Sequence, residues 1–129
     1  MTDSLSGENR FSRELRLLTP SHFSNVFEKA IPCGSQYLTL LARNNDQTHP
    51  RLGITIAKKR VKKAVQRNRL KRIIRESFRL HSNSMPNIDI IVMAKSGCDT
   101  LSNEELHSLI KKSWNRLNKK CLRANQSND

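Results

Sequence analysis

The sequence predicts an α+β domain, a two-layer α-β sandwich in which three helices pack on a small mixed sheet in the order α-β-β-α-β-α. Three observations lead to it. Apolar residues recur at helical spacing around 20–30, 64–80 and 102–121. Between them lie three short runs of β-forming residues, 37–42, 51–57 and 88–94. No internal repeat or break in composition divides the 129 residues, a length that suits one domain with a modest core.

Each element has its own punctuation. Residues 1–10 are polar and read as a disordered terminus; 11–18, with Phe11, Arg13, Arg16 and Leu17, reads as a segment along the domain surface. Thr19-Pro20 opens the first helix with a capping hydroxyl and proline at the first helical position. It runs to about Ala30, is stopped by Pro32 and Gly34, and puts Phe23, Val26, Phe27 and Ala30 on one stripe. Tyr37 to Ala42 is a strand, Asn44-Asn45-Asp46 a turn and Arg51 to Ala57 a second strand, a connection short enough to make the two an antiparallel pair. The central helix places Leu70, Ile73, Ile74, Ser77 and Leu80 on its core side. Extending it backwards would put Val61 and Val65 among its cations, so it begins near Ala64 after a loop. Ile88 to Ala94 is a largely apolar third strand, central and parallel to the second. Ser102 and Glu105 form a capping box for the last helix, whose core stripe is Leu106, Leu109, Ile110, Ser113, Trp114 and Leu117. The domain spans 11–121, and 122–129 reads as a flexible tail.

Charge carries the functional signal. The chain has a formal net charge of +13 and a pI near 10.4, which favours a polyanionic partner. Of its 24 Lys and Arg residues, eleven lie between Lys58 and Arg79. Lys58, Lys59, Arg60, Lys62 and Lys63 form the loop that enters the central helix, and Arg67 and Arg69 flank Asn68 in its first turn. Asn68, Lys71, Arg72, Arg75 and Arg79 then share one side. The like-charge pairs Lys71–Arg75 and Arg75–Arg79 sit at i,i+4, where each costs a few tenths of a kcal/mol. Helix-start amides and the dipole add to the cations there, which suits phosphate. Asn68 adds an amide that both donates and accepts, fit for a ribose hydroxyl or base edge or, more plainly, for a local backbone cap. A solvated basic face is the plain alternative for the whole stripe. Phe23, Phe27 and Tyr37 have two readings, core packing or a surface on which unpaired bases stack.

Other chemistry is missing. No run approaches the roughly 18 apolar residues of a membrane span, and the N-terminus has no secretory pattern. Cys33, Cys98 and Cys121 are scattered and read as free thiols in a reducing cytoplasm. The four His have no metal-ligand spacing, the eleven acids form no metal-holding pair, and no catalytic triad or Gly-rich phosphate loop is present. No catalytic residue and no metal ligand is therefore assigned. DNA is disfavoured because no helix-turn-helix pairing precedes the basic helix.

The run Arg51-Leu52-Gly53-Ile54-Thr55-Ile56-Ala57-Lys58-Lys59, followed by Ala64-Val65-Gln66-Arg67-Asn68-Arg69-Leu70-Lys71-Arg72, resembles the protein subunit of bacterial ribonuclease P. Arg13-Glu14-Leu15-Arg16-Leu17, the Phe23…Phe27 helix, Ile88-Asp89 and the terminal helix fall where that family has counterparts. The resemblance implies a partner for a catalytic RNA subunit that removes the 5′ leader of precursor tRNA with magnesium, the protein itself binding no cofactor. It implies RNA-subunit contacts at Arg67, Asn68, Arg69, Lys71, Arg72 and Arg75. It implies a leader cleft between the first helix and the sheet, lined by Phe23 and Phe27, with Lys58 and Lys59 nearby and Tyr37 a candidate for its sheet side. It also implies a left-handed β-α-β crossover, against the usual right-handed rule. Ala57 stands where many relatives have serine, and Val61-Lys62-Lys63 where many have a glycine. The alternative is a ribosomal or general RNA-structural protein with no part in cleavage.

Overall fold

The structure, a computed structural model, describes residues 15–127, with side chains described through Leu122; residues 1–10 of the expected disordered terminus lie outside that range. Three helices and four strands follow in order: α1 (Pro20–Glu28), β1 (Ile31–Gly34), β2 (Leu38–Asn44), β3 (Arg51–Thr55), α2 (Ala64–His81), β4 (Ile88–Ala94) and α3 (Asn103–Ser127). The strands form one mixed sheet in the order β1-β2-β4-β3. The α+β class and the parallel pairing of β3 with central β4 are as expected, with Gly53 opposite Ile91 and Ile54 opposite Val92.

Two sheet details correct the sequence reading. β2 does not pair with β3; it pairs antiparallel with β4, Leu40 opposite Val92, so β4 lies between them. The physical reason is burial. All of β4 but Met93 is buried, and a strand apolar on both faces belongs inside a sheet. β1, read as a helix stop, is an edge strand antiparallel to β2. Pro32 lacks an N–H and is tolerated only at such an edge, while Cys33 turns into the core.

Alternation divides the sheet into two faces. One presents Leu38, Leu40, Ile88, Ile90, Val92 and Leu52 to Leu70, Ile73, Ile74 and Phe78 of α2 and to Leu106, Ile110, Trp114 and Leu117 of α3. Phe78 takes the place expected of Leu80, which is 62% exposed because the helical phase carries it past the core edge. The Trp114 indole N–H donates to Ser77 Oγ at 2.9 Å, and its ring meets Phe78 edge-on at 6.0 Å. The opposite face carries α1, with Val26 against Ile91 and Leu17.

Local signals explain the helix starts. Thr19 Oγ1 accepts from His22 N–H at 3.3 Å, and His22 Nδ1 accepts from the Leu18 and Thr19 amides at 3.1 and 3.4 Å. Ser102 N–H donates to Glu105 Oε1 at 2.9 Å, the largest reason the Glu105 carboxyl is held below its usual range. α3 continues past Leu122 to Ser127, further than the sequence reading took it. At the far end of β3 and β4, Arg51 grips Asp89 with Nε and Nη2 at 2.8 and 2.7 Å, and Asn45 adds a third bond at 2.8 Å. That is the salt bridge found among the described residues, and it locks the register of the parallel pair.

Candidate nucleic-acid interface

The chain leaves β3 into a tight turn in which Arg60 and Val61 amides donate to Ala57 O at 3.0 and 3.1 Å. Val61 is buried and pins this turn, which leaves Lys58, Lys59, Arg60, Lys62 and Lys63 exposed. Arg60 reaches Ser96 Oγ at 3.5 Å. α2 begins at Ala64, as its phase requires, and Val65 is 69% exposed. Lys63 gives no side-chain cap, and although its carbonyl accepts from the Gln66 amide at 3.1 Å, the positive end of the α2 dipole lies beside five cations, which suits an anion.

Past the first turn the basic side of α2 faces outwards. Asn68, Arg72 and Arg75 are exposed, and Lys71 and Arg79 half-buried. None of the five makes a side-chain hydrogen bond or ion pair to another described residue, in contrast to Arg67 and Arg69. Arg67 Nη1 donates to the carbonyls of Val61 and Lys62 at 2.9 and 2.8 Å. Arg69 donates to Gln66 Oε1 (2.8 Å), Asn103 Oδ1 (2.7 Å), Asp99 O (3.0 Å) and Leu101 O (3.1 Å). Two of the arginines expected as RNA contacts, Arg67 and Arg69, are thus also clasps within the protein. One ties the basic loop to its helix, the other ties α2 to the start of α3. Their acceptors are neutral, so the positive charge remains; Arg69 is engaged through Nε, Nη1 and Nη2, Arg67 through Nη1 alone.

A second feature adjoins this face. Phe23 lies on β3 over Gly53, so close that a Cβ at 53 would sit 2.6 Å from Phe23 Cζ and 3.2 Å from Leu17 Cδ1. A hollow of about 150 Å³ joins Phe23, Leu17, Arg16 and Gly53 to Lys71 and Arg75 of α2. Phe27, one turn on, is 51% exposed and free to meet a ligand. Where α1 stops covering the sheet, the row Thr39–Met93–Thr55 is open. It floors a cavity of about 500 Å³ rimmed by Ala57, Arg60, Lys95 and Ser96.

Tyr37 does not belong to this cleft. It precedes β2, outside the strand alternation, and its ring packs against Gly97, which is left-handed at φ 92°. Tyr37 lines a separate cavity of about 430 Å³ with Leu101, Leu109 and Lys112 on the α3 side. The sheet side of the cleft, Thr39, Thr55 and Met93, went unassigned in the sequence, although the period-2 pattern of β2 could have put Thr39 opposite the core.

No group of three or more His, Cys, Asp or Glu able to hold a metal occurs among the described residues. Nor is any described helix long and apolar enough to cross a membrane. Cys33, Cys98 and Cys121 are free and buried; burial pushes the Cys98 and Cys121 thiols up to about 11.

Residues 11–118 match the family model Ribonuclease P. The chain is 65% identical over 118 residues to the ribonuclease P protein component of Pseudoalteromonas atlantica, a match spanning 92% of this chain and 98% of that protein. It is 55% identical over 109 residues to the component from Vibrio cholerae, spanning 84% and 92%. The Staphylococcus aureus RNase P protein has the same fold, with a TM-score of 0.72 at 28% identity over 77% of this chain and 91% of that one. The Thermotoga maritima RNase P protein, solved with 1-(4-fluorophenyl)-2-thiourea, gives a TM-score of 0.64 at 30% identity over 74% and 97%.

Proposed function

The chain belongs to the ribonuclease P protein family, and on that premise we propose that it binds a catalytic RNA through α2 and the 5′ leader of precursor tRNA through the cleft under α1. The observation that carries this reading is the row Asn68, Lys71, Arg72, Arg75 and Arg79, exposed or half-buried along one side of α2, with no side-chain hydrogen bond or ion pair to another described residue. Membership of the family sets aside the ribosomal or general RNA-structural alternative.

The division of labour follows from the side chains. Phosphates brought together in a folded RNA repel one another, and the cations of α2 and of the 58–63 loop reduce that cost. Arg67 holds the loop against its helix, so its lysines reach the RNA as a fixed array. Phe27 offers a face for an unpaired leader base, and Phe23 supports it from the sheet. Thr39 and Thr55 supply hydroxyls, and Lys95 and Arg60 supply charge, along the open floor. Because Lys71 and Arg75 border the hollow beside Phe23, leader and catalytic RNA meet on adjoining surfaces. The RNA breaks the phosphodiester bond with magnesium held in the assembled ribonucleoprotein, in the cytoplasm. This chain contributes charge and grip.

The test is cleavage of precursor tRNA by the catalytic RNA at low magnesium, with and without the chain. Faster cleavage with the chain present, and none by the chain alone, is expected. Cleavage by the protein without RNA would refute it.

A further inference from the structure

A second cationic surface lies on α3, which packs beside α2 on the same face of the sheet but over its β1 edge. After its acidic first turn, residues 106–128 hold Lys111, Lys112, Arg116, Lys119, Lys120 and Arg123 and no Asp or Glu. Lys112, Arg116 and Lys120 recur every four residues and run along β1, where Arg116 Nη2 donates to Gly34 O at 3.1 Å and Lys120 Nζ to Pro32 O at 2.8 Å. Lys111 and Lys119 form a neighbouring exposed row. Neutral carbonyls fix Arg116 and Lys120 in place without cancelling their charge, and most of their N–H groups remain to donate. From Lys112 to Lys120 the row extends about 12 Å.

Its position relative to the first surface decides what it fits. β1 is one edge of the sheet and β3 the other, three strand spacings or about 14 Å apart. Lys71 and Arg75 border β3, whereas Arg116 and Lys120 border β1. RNA held on the β3 side of α2 therefore meets one edge of the sheet, and the α3 row stands at the other. The α3 surface also lacks what a single strand needs. The exposed rows of α3 carry no aromatic residue of their own, and only the half-buried Tyr37 adjoins them, beside Lys112, so the greater part of the surface offers charge to phosphates and no stacking face.

Resting on the function proposed above, we propose that α3 and β1 bind the phosphate backbone of a base-paired segment of the catalytic RNA, separate from the segment held by α2. The protein then bridges two parts of one folded RNA. Some of these cations also cover the exposed edge of β1, so the test uses those that do not bond to it.

The experiment compares the full chain, Lys111→Gln/Lys112→Gln/Lys119→Gln and, as a control, Arg72→Gln/Arg75→Gln, in binding the catalytic RNA across a salt series. A cleaving iron chelate is tethered in turn at introduced cysteines replacing Asn115 and Asn68. The triple variant should flatten the slope of log affinity against log salt by about 2–3, near 0.9 per lost duplex phosphate contact. Cleavage from position 115 should fall in a duplex distinct from that cut from position 68. An unchanged slope with no cuts from 115, or cuts confined to the segment reached from 68, overturns the proposal. Loss of binding to phosphatidylglycerol vesicles with RNA binding unchanged would overturn it too, in favour of a membrane partner. Failure of the unaltered chain to bind the RNA at all would instead sink the function proposed above.

Discussion

Replacing Arg69 by Ala separates a clasp from an RNA contact. The side chain makes four hydrogen bonds, two of them to backbone carbonyls just before α3 and one to Asn103 at its first turn. Bonds from a charged donor contribute roughly 1.5–3 kcal/mol each, but the four share one side chain and water can reach the partly exposed acceptors, so they do not add. A loss of about 2–3 kcal/mol is expected. For a domain of this size each kcal/mol lowers Tm by about 3–5 °C, which gives a fall of about 6–15 °C. Arg69→Lys keeps the charge but not the planar fork, so it should recover only a minor part. Arg72→Ala and Arg75→Ala, on an exposed face without such bonds, should stay within about 0.5 kcal/mol of the parent. Circular dichroism melts and urea titrations read these directly, with RNA binding measured on the same samples. If Arg69→Ala instead melts with the parent yet loses as much RNA affinity as Arg72→Ala, the guanidinium serves the RNA and is no clasp.

Other perturbations follow from the same geometry. Phe27→Ala should leave stability within about 0.5 kcal/mol, since the ring is half exposed, while weakening affinity for precursors with a leader and not for mature tRNA. Gly53→Ala puts a methyl into the Phe23 ring; it should cost about 1–3 kcal/mol by denaturant titration and weaken leader binding as the ring is displaced. Asp89→Ala strands Arg51 without its carboxylate and should cost about 3–5 kcal/mol by urea titration. Cys98 and Cys121 have thiols raised to about 11, chiefly by burial, against 9.0 ordinarily. The unfolded chain therefore loses those protons first, and stability should fall as pH rises from about 9 to 11, a loss that Cys98→Ala/Cys121→Ala should reduce in pH-dependent melts.

Much of this architecture was legible from periodicity, because burial enforces it. The start of α2 at Ala64 followed from the conflict between Val61, Val65 and the cationic phase, and the caps at Thr19 and Ser102 followed from local chemistry. The pairing of strands was not legible. Loop length favours a β2–β3 hairpin, and only the three-dimensional competition for the inside position gives β4 that place. Pro32 and Gly34 read as breakers because a sequence does not reveal that their segment is an edge. At the site, periodicity sorted Asn68, Lys71, Arg72, Arg75 and Arg79 onto an outward face. It could not tell that Arg67 and Arg69 would meet carbonyls from a loop and from a segment thirty residues away. Tyr37 escaped for a related reason, lying one residue outside the strand whose alternation would have directed it.

The proposed function requires RNA phosphates to lie against the outward side of α2. Its most direct measurement is the salt dependence of catalytic-RNA binding by Arg72→Ala/Arg75→Ala beside the parent chain, both shown to be folded. Two lost phosphate contacts should flatten the slope of log affinity against log salt by about 1.5–2 and weaken binding at every salt concentration used. Parallel lines of equal affinity would contradict the account.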